Sequence, residues 1–324
     1  MTDTPLIVIV GPTAVGKTGL SLRLAQDFAV EIISADSRQI YRGLNIGTAK
    51  PTPHEQTVAP HHLIDIADPD DVLTLAEFQA RAFTMIDSIF RRRHLPLLVG
   101  GTGQWIWSVV EGWHIPRVPP DQAFRAELEK LANREGSQTL HAQLAEVDPL
   151  AAQKIDPRNV RRVIRALEVF EKTGIPISQQ QRKAAPPFRT LLIGLTMSRP
   201  LLYERIDRRV DKMMELGLLE EVERLVRAGV SWHSPALMGL GYRQLCFYLR
   251  GELSLEDAIA LIKKETRRFV RQQYNWFRAN DKRIQWFDIG SGLSEEYPQI
   301  VELVANKLAN HNLLPPPIIG HTEG

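Results

Sequence analysis

The run Gly11-Pro12-Thr13-Ala14-Val15-Gly16-Lys17-Thr18 completes a GxxxxGK[ST] pattern. Its chemistry is the holding of phosphate oxygens. Backbone N–H groups of such a loop, and the positive end of the helix that follows, converge on an anion, and the glycines let the backbone approach closely. Lys17 adds a point charge, and the Thr18 hydroxyl suits a Mg²⁺ ion bridging two phosphates. The pattern does not specify ATP. Any diphosphate presents the same oxygens, so a kinase, an NTPase and a transferase with a diphosphate leaving group all remain open.

Two further places can do chemistry. Ile33-Ser34-Ala35-Asp36-Ser37-Arg38-Gln39-Ile40-Tyr41 ends a strand-like run and sets Asp36 at the carboxyl edge of a sheet, where ligands of open α/β sheets bind. A carboxylate there is a general base, a metal ligand or the cap of the following turn. Gly100-Gly101-Thr102-Gly103 closes another run at the same edge. A Walker B strand is expected to end in an acidic residue; this one ends in Thr102, which weakens an ATPase reading. A tight turn capped by Thr is the plain alternative.

The elements that must position these residues are legible as runs. Leu6 to Val10 is continuously apolar and β-branched and stops at a glycine, the pattern of a strand buried on both faces. Glu31 to Ala35, Leu95 to Val99 and Leu191 to Thr196 read alike, Arg283 to Phe287 is a weaker strand, and Leu63 to Ile66 another candidate. Amphipathic helical stretches separate them. The expected fold class is α/β, a P-loop NTPase-like parallel sheet with an inserted helical domain. Residues 1–112 and 188–324 form the core, and 113–187, where no strand-like run occurs, the insertion.

In the insertion a helix is expected to start at Asp156-Pro157 and to stop at Gly174. Val160, Val163, Ile164, Leu167 and Phe170 share one face; Arg158, Arg161, Arg162 and Arg165 share another. A second long helix runs from Ser254 to about Asn280 and carries Lys263, Lys264, Arg267, Arg268, Arg271 and Arg278.

With 324 residues, 44% hydrophobic and 24% charged, the composition is that of a soluble globular chain long enough for two domains. A net charge of +2 imposes no global field, so any polyanionic partner must be met by local basic stripes. The single Cys246 excludes a disulfide framework and a cysteine zinc site. There is no basic, apolar leader and no apolar run of spanning length, so a cytoplasmic protein with no membrane association is expected; a monomer is expected as well, though nothing in the sequence fixes the oligomeric state. The stretch ending LLPPPIIGHTEG is expected to be a poorly ordered tail.

GPTAVGKT, ADSRQIY, IGTAKP (Ile46 to Pro51), PHHLID (Pro60 to Asp65), VGGTG and GLGYRQL (Gly239 to Leu245) occur in the order found in the tRNA dimethylallyltransferases, also called tRNA isopentenyltransferases. The chain resembles that family from about Leu6 to Arg278. The resemblance implies transfer of a dimethylallyl group from its diphosphate to N6 of the adenosine 3′-adjacent to the anticodon, position 37, of a tRNA anticodon stem-loop. Thr13 to Thr18 would hold the diphosphate, with Mg²⁺. Asp36 would take the amine proton, Thr102 would hydrogen-bond beside it, and Arg209 would reach the diphosphate, with Arg205 and Arg208 as competitors for that part. Asp36, Ser37, Arg38, Gln39, Thr102, Arg125, Arg161, Arg162, Val163, Ile164 and Arg165, and Met238, Gly239, Leu240, Gly241, Tyr242 and Arg243, match positions that contact tRNA. The insertion would then be a tRNA-binding domain.

Departures exist. Members often read close to KRQxTWFR where this chain has Arg271-Gln272-Gln273-Tyr274-Asn275-Trp276-Phe277-Arg278, which loses a basic residue at Gln272. Some eukaryotic members carry a zinc finger, which one cysteine cannot build. His61 and His62 lack helical metal-ligand spacing and are read as packing or hydrogen-bonding residues; Trp105 and Trp107 are read as core cover, with the lining of a prenyl pocket by one of them as the alternative. Rival functions are prenylation of free adenine nucleotides, a small-molecule kinase and a non-catalytic RNA-binding module.

Overall fold

The structure is a computed structural model describing residues 4–180, 182–184 and 188–309. The C-terminal tail expected from the proline cluster lies outside the described residues, as does the expected boundary at Pro187. Contacts divide the chain into two compact units, the smaller being Glu111–Ala185.

In the larger unit β1 (Thr4–Val10) leads to α1 (Lys17–Asp27), β2 (Val30–Ser34), α2 (Pro53–Val58), β3 (His61–His62), α3 (Leu75–Arg91), β4 (Leu95–Val99) and α4 (Gly103–Val110). The smaller unit holds α5 (Gln122–Glu135), α6 (Ser137–Val147), α7 (Pro149–Lys154), α8 (Val160–Thr173) and α9 (Ile177–Gln180). The larger unit resumes with β5 (Phe188–Thr196), α10 (Arg199–Glu215), α11 (Leu218–Arg227), α12 (Tyr242–Leu249), α13 (Leu255–Trp276), β6 (Ile284–Asp288) and α14 (Leu293–Leu308).

The six strands form one sheet in the order β3-β2-β4-β1-β5-β6, and every pairing is parallel. Strand β1 is central and buried along its whole length, which explains why its sequence is continuously apolar and not alternating. Each of its large apolar side chains contributes about 2 kcal/mol by leaving water. Because β4 lies between β2 and β1, the loops after these three strands emerge side by side at one edge.

The expected strand Leu63 to Ile66 does not form. Leu63 and Asp65 have φ of 61° and 53°, left-handed values that break a pleat. The Asp65 and Ile66 N–H groups instead donate to the carbonyls of Gln39 and Ile40.

In the smaller unit α8 starts later than Asp156-Pro157. Asn159 is the cap, accepting the Arg162 N–H, and Gly174 ends the helix with φ 67°. Asp156 closes a turn by accepting the Arg158 N–H at 2.8 Å and also pairs with the Arg158 guanidinium. Arg158 therefore precedes the helix and leaves the expected stripe. Helix α13 begins as read, with the Ser254 hydroxyl accepting the Asp257 N–H, but it ends at Trp276 and not Asn280. Trp105 and Trp107 are both buried, Trp105 stacked on Phe78 at 3.9 Å.

Candidate active site

The phosphate loop is shaped by backbone conformation. Gly11 has φ 142°, and a Cβ there would fall 2.5 Å from the Leu195 carbonyl oxygen. Ala14 is left-handed at φ 66°, a strained conformation for a residue with a Cβ. Gly16, at φ 112°, stands at the N-cap of α1 without a side chain to satisfy the first N–H groups, which leaves them for an anion. The Lys17 ammonium folds over the loop and donates to the carbonyls of Gly11 at 3.0 Å and Pro12 at 2.8 Å. Burial pushes its pKa down to about 8; Asp36 opposes this shift and Arg209 adds to it.

Those two influences place Lys17, Asp36 and Arg209 in one electrostatic neighbourhood. Burial likewise lowers the pKa of Arg209, and Asp36 partly restores it. Of the three arginines competing for this part, Arg208 is exposed and paired with Glu204 at 2.7 Å, whereas Arg209 is desolvated and within electrostatic reach of Asp36. Asp36 Oδ1 accepts the Arg38 N–H at 2.8 Å, which fixes the carboxylate plane. Thr102 Oγ1 accepts the Ser37 N–H at 3.2 Å, so the turn after β4 is tied to the loop carrying Asp36. A cavity of about 50 Å³ is lined by Lys17, Thr18, Ser34, Asp36, Gln39 and His61, among others.

Several motif residues serve the scaffold. The Gln39 amide accepts from Ser34 Oγ at 2.9 Å and donates to the carbonyls of Thr48 and Ala49. Arg38 donates to the Pro235 carbonyl and lies beside Gly239, joining the Asp36 loop to the segment Met238 to Arg243. Within that segment Met238 is 44% exposed and Leu240 half-buried, but Gly239, Gly241 and Tyr242 are buried and Arg243 pairs with Glu265 at 2.6 Å. His62 and Arg92 both donate to buried Glu31, His94 contacts it at 2.7 Å, and His61 Nδ1 lies 2.8 Å from the Ala59 carbonyl. Burial alone would raise the Glu31 pKa; the bonds from Arg92, His62 and His94 bring it down to about 2.

Sequence reading missed three residues. Glu221, 1% exposed, accepts the N–H groups of Asn45, Ile46 and Gly47 and the Tyr242 hydroxyl at 2.6 Å. Its signal was present: it sits on the apolar face of α11 with Leu218, Val222 and Leu225. Lys50 reaches the Tyr41 carbonyl, Asn45 and Asp65, joining IGTAKP to PHHLID. Gln273 of α13 accepts the Thr13 N–H at 2.8 Å and donates to the Gly101 carbonyl at 3.0 Å.

In the smaller unit Arg161 and Arg162 are exposed, whereas Val163 and Ile164 are buried in its core. Their side chains cannot reach a ligand outside it. Arg125 and Arg165 both pair with Glu168, which is 0% exposed and also accepts the Asp121 N–H. The expected basic face is thus split: Arg161 and Arg162 point to water, and Arg165 is bound inward.

Residues 39–280 match the model of a family described as IPP transferase. The chain belongs to the IPP transferase family. It is accordingly a prenyltransferase on a P-loop NTPase-like fold. A tRNA dimethylallyltransferase of Roseiflexus sp. (strain RS-1) is 54% identical over 274 residues, 85% of this chain and 90% of the relative. One from Symbiobacterium thermophilum is 48% identical over 307 residues, 94% and 96% of the two chains. Among solved structures, a tRNA isopentenylpyrophosphate transferase from Bacillus halodurans superposes with TM-score 0.72 at 42% identity, covering 95% of this chain and 98% of that one. A eukaryotic dimethylallyltransferase acting on tRNA gives TM-score 0.79 at 27% identity, covering 98% and 82%. No helix among the described residues is long and apolar enough to cross a membrane.

Proposed function

We propose that the protein transfers a dimethylallyl group from dimethylallyl diphosphate to N6 of the adenosine 3′-adjacent to the anticodon of tRNA, releasing diphosphate. The observation that carries this reading is the cavity shared by Lys17, Thr18 and Asp36 at one sheet edge, with Arg209 in electrostatic reach of Lys17 and Asp36, beside the loop that presents open N–H groups. The names of the relatives support the donor and the acceptor.

The donor C–O bond breaks and its electron pair leaves with the diphosphate, whose growing charge meets the loop N–H groups, Lys17 and Arg209. The adenine N6 lone pair forms the new C–N bond. Its proton passes to Asp36, whose Oδ1 is held by the Arg38 N–H and whose Oδ2 is left to take it. Thr102, fixed through Ser37, orients that amine. Excluding water protects the allylic carbon from hydrolysis.

The donor set fits Mg²⁺, since the Thr18 hydroxyl lines the same cavity as Asp36. Thr18 would help to hold the cation, which would supply positive charge to neutralise the leaving group. Arg161, Arg162 and the exposed part of Met238 to Arg243 would meet the anticodon stem-loop, in the cytoplasm.

The test is transfer of labelled dimethylallyl, with Mg²⁺, to unmodified tRNA or to AMP. Label in tRNA is expected, falling about 100-fold or more in Asp36→Asn, which keeps the Oδ1 acceptor for Arg38. Label in AMP alone would overturn the acceptor; no transfer to either would overturn the reading.

A further inference from the structure

Gln273 occupies a place that the proposed chemistry does not use. It lies on α13, far in sequence from the phosphate loop, and is 2% exposed. Both ends of its amide are committed. Oε1 accepts the Thr13 N–H at 2.8 Å, and Nε2 donates to the Gly101 carbonyl at 3.0 Å. The orientation is fixed by chemistry, because a flipped amide would set N–H against N–H and oxygen against oxygen.

The two loops it joins follow β1 and β4, which are neighbours in the sheet. One carries the N–H groups and Lys17; the other carries Thr102. A Cβ added at Gly101 would fall 2.3 Å from Gln273 Nε2 and 3.7 Å from Lys17 Nζ, so the turn has room for no side chain between the amide and the lysine. The strained Ala14 follows Thr13 directly, and a loop held in such a conformation needs partners that over-determine it. Thr13 N–H, expected to face the diphosphate, is instead taken by the protein.

We propose that Gln273 is a positioning residue: its amide sets the distance between the diphosphate-holding loop and the Thr102 turn, and so between prenyl donor and amine acceptor. Resting on the proposed function, it deepens it with a determinant of rate that touches neither substrate. Losing the brace leaves the helix N–H groups, Lys17 and Arg209 in place for the donor, and even frees the Thr13 N–H. Donor binding is therefore retained while the reacting atoms lose alignment.

The experiment is steady-state transfer of labelled dimethylallyl to unmodified tRNA, with donor-site stoichiometry counted by titration with a non-reacting thiolodiphosphate analogue. For Gln273→Leu, kcat per donor site should fall about 10- to 100-fold, while donor KM stays within about threefold. Gly101→Ala pushes the same amide aside from the opposite loop and should reproduce the effect. The double variant Gly101→Ala/Gln273→Ala should be no slower than Gln273→Ala, because the clash has nothing left to displace. Additive losses would overturn the proposal, as would fewer competent sites with wild-type kcat per site, the signature of a purely structural role. If Gln273→Leu does not fold, Gly101→Ala decides alone, and wild-type kcat in it overturns the brace. Absence of transfer by the wild type would instead strike the proposed function.

Discussion

The depressed pKa of Lys17 makes diphosphate binding depend on pH in a calculable way. Its ammonium is worth nothing to an anion once deprotonated. With the free-state pKa near 8 and the bound state held protonated by the diphosphate, the apparent affinity falls by the factor 1 + 10^(pH − pKa). Between pH 7 and pH 9 this is a loss of about tenfold. The direction is fixed by the sign of the charge: binding raises the pKa, so a proton is taken up on binding above pH 8, and affinity weakens as pH rises. The assay is calorimetric titration with a thiolodiphosphate ester in two buffers of different ionisation enthalpy, which reports proton uptake directly. The ester ionises near pH 6, below the window, and so does not contribute. Lys17→Arg carries a charge that does not titrate here and should bind with almost flat pH dependence. Equal affinity at pH 7 and pH 9 in the wild type, or the same loss in Lys17→Arg, would refute the reasoning.

Removing Glu221 by Glu221→Ala leaves the N–H groups of Asn45, Ile46 and Gly47 and the Tyr242 hydroxyl without their acceptor; a loss of about 3 to 5 kcal/mol is expected from urea unfolding. Glu31, with its folded pKa near 2 against 4.5 unfolded, contributes stability that is complete above pH 4.5 and is lost as pH falls toward 2. In Glu31→Gln the acid limb of the stability profile between those values should flatten, and an unchanged limb would count against the assignment. Neutralising Arg161 and Arg162 together should weaken tRNA binding and reduce the slope of log K against log salt by about 2, with donor binding untouched. Unchanged tRNA affinity would remove this pair from the interface.

Local features of the site were legible because they are written in local chemistry. The phosphate loop needs glycines that adopt left-handed or crowded backbone, and a lysine and hydroxyl at fixed spacing, so Gly11 to Thr18 declares itself. The strands before it and before Asp36 and Thr102 declare themselves too, since burial on both faces demands largely apolar runs, Glu31 in β2 being tolerated only through its bonds with Arg92, His62 and His94. The start of α13 at Ser254 was equally plain. The start of α8 was misread because Asp156-Pro157-Arg158 satisfies its own backbone in a turn, an alternative that residue preferences do not separate from a helix cap.

Partnership across the chain was not legible. An arginine at helical spacing looks the same whether it faces water, as Arg161 does, or a buried carboxylate, as Arg165 does. Glu168 and Glu221 could be noticed on apolar faces, but Arg125 and the Asp121 N–H that bind the first, and every partner of the second, lie on other elements. The sequence by itself determined which groups are present for phosphate binding, proton transfer and charge stabilisation. The tertiary structure decided which of them meet, since parallel pairing places β4 between β2 and β1 and brings their loops to one edge. It also decided that Gln273 on α13, a motif position to which the sequence assigned no partner, holds two of those loops together.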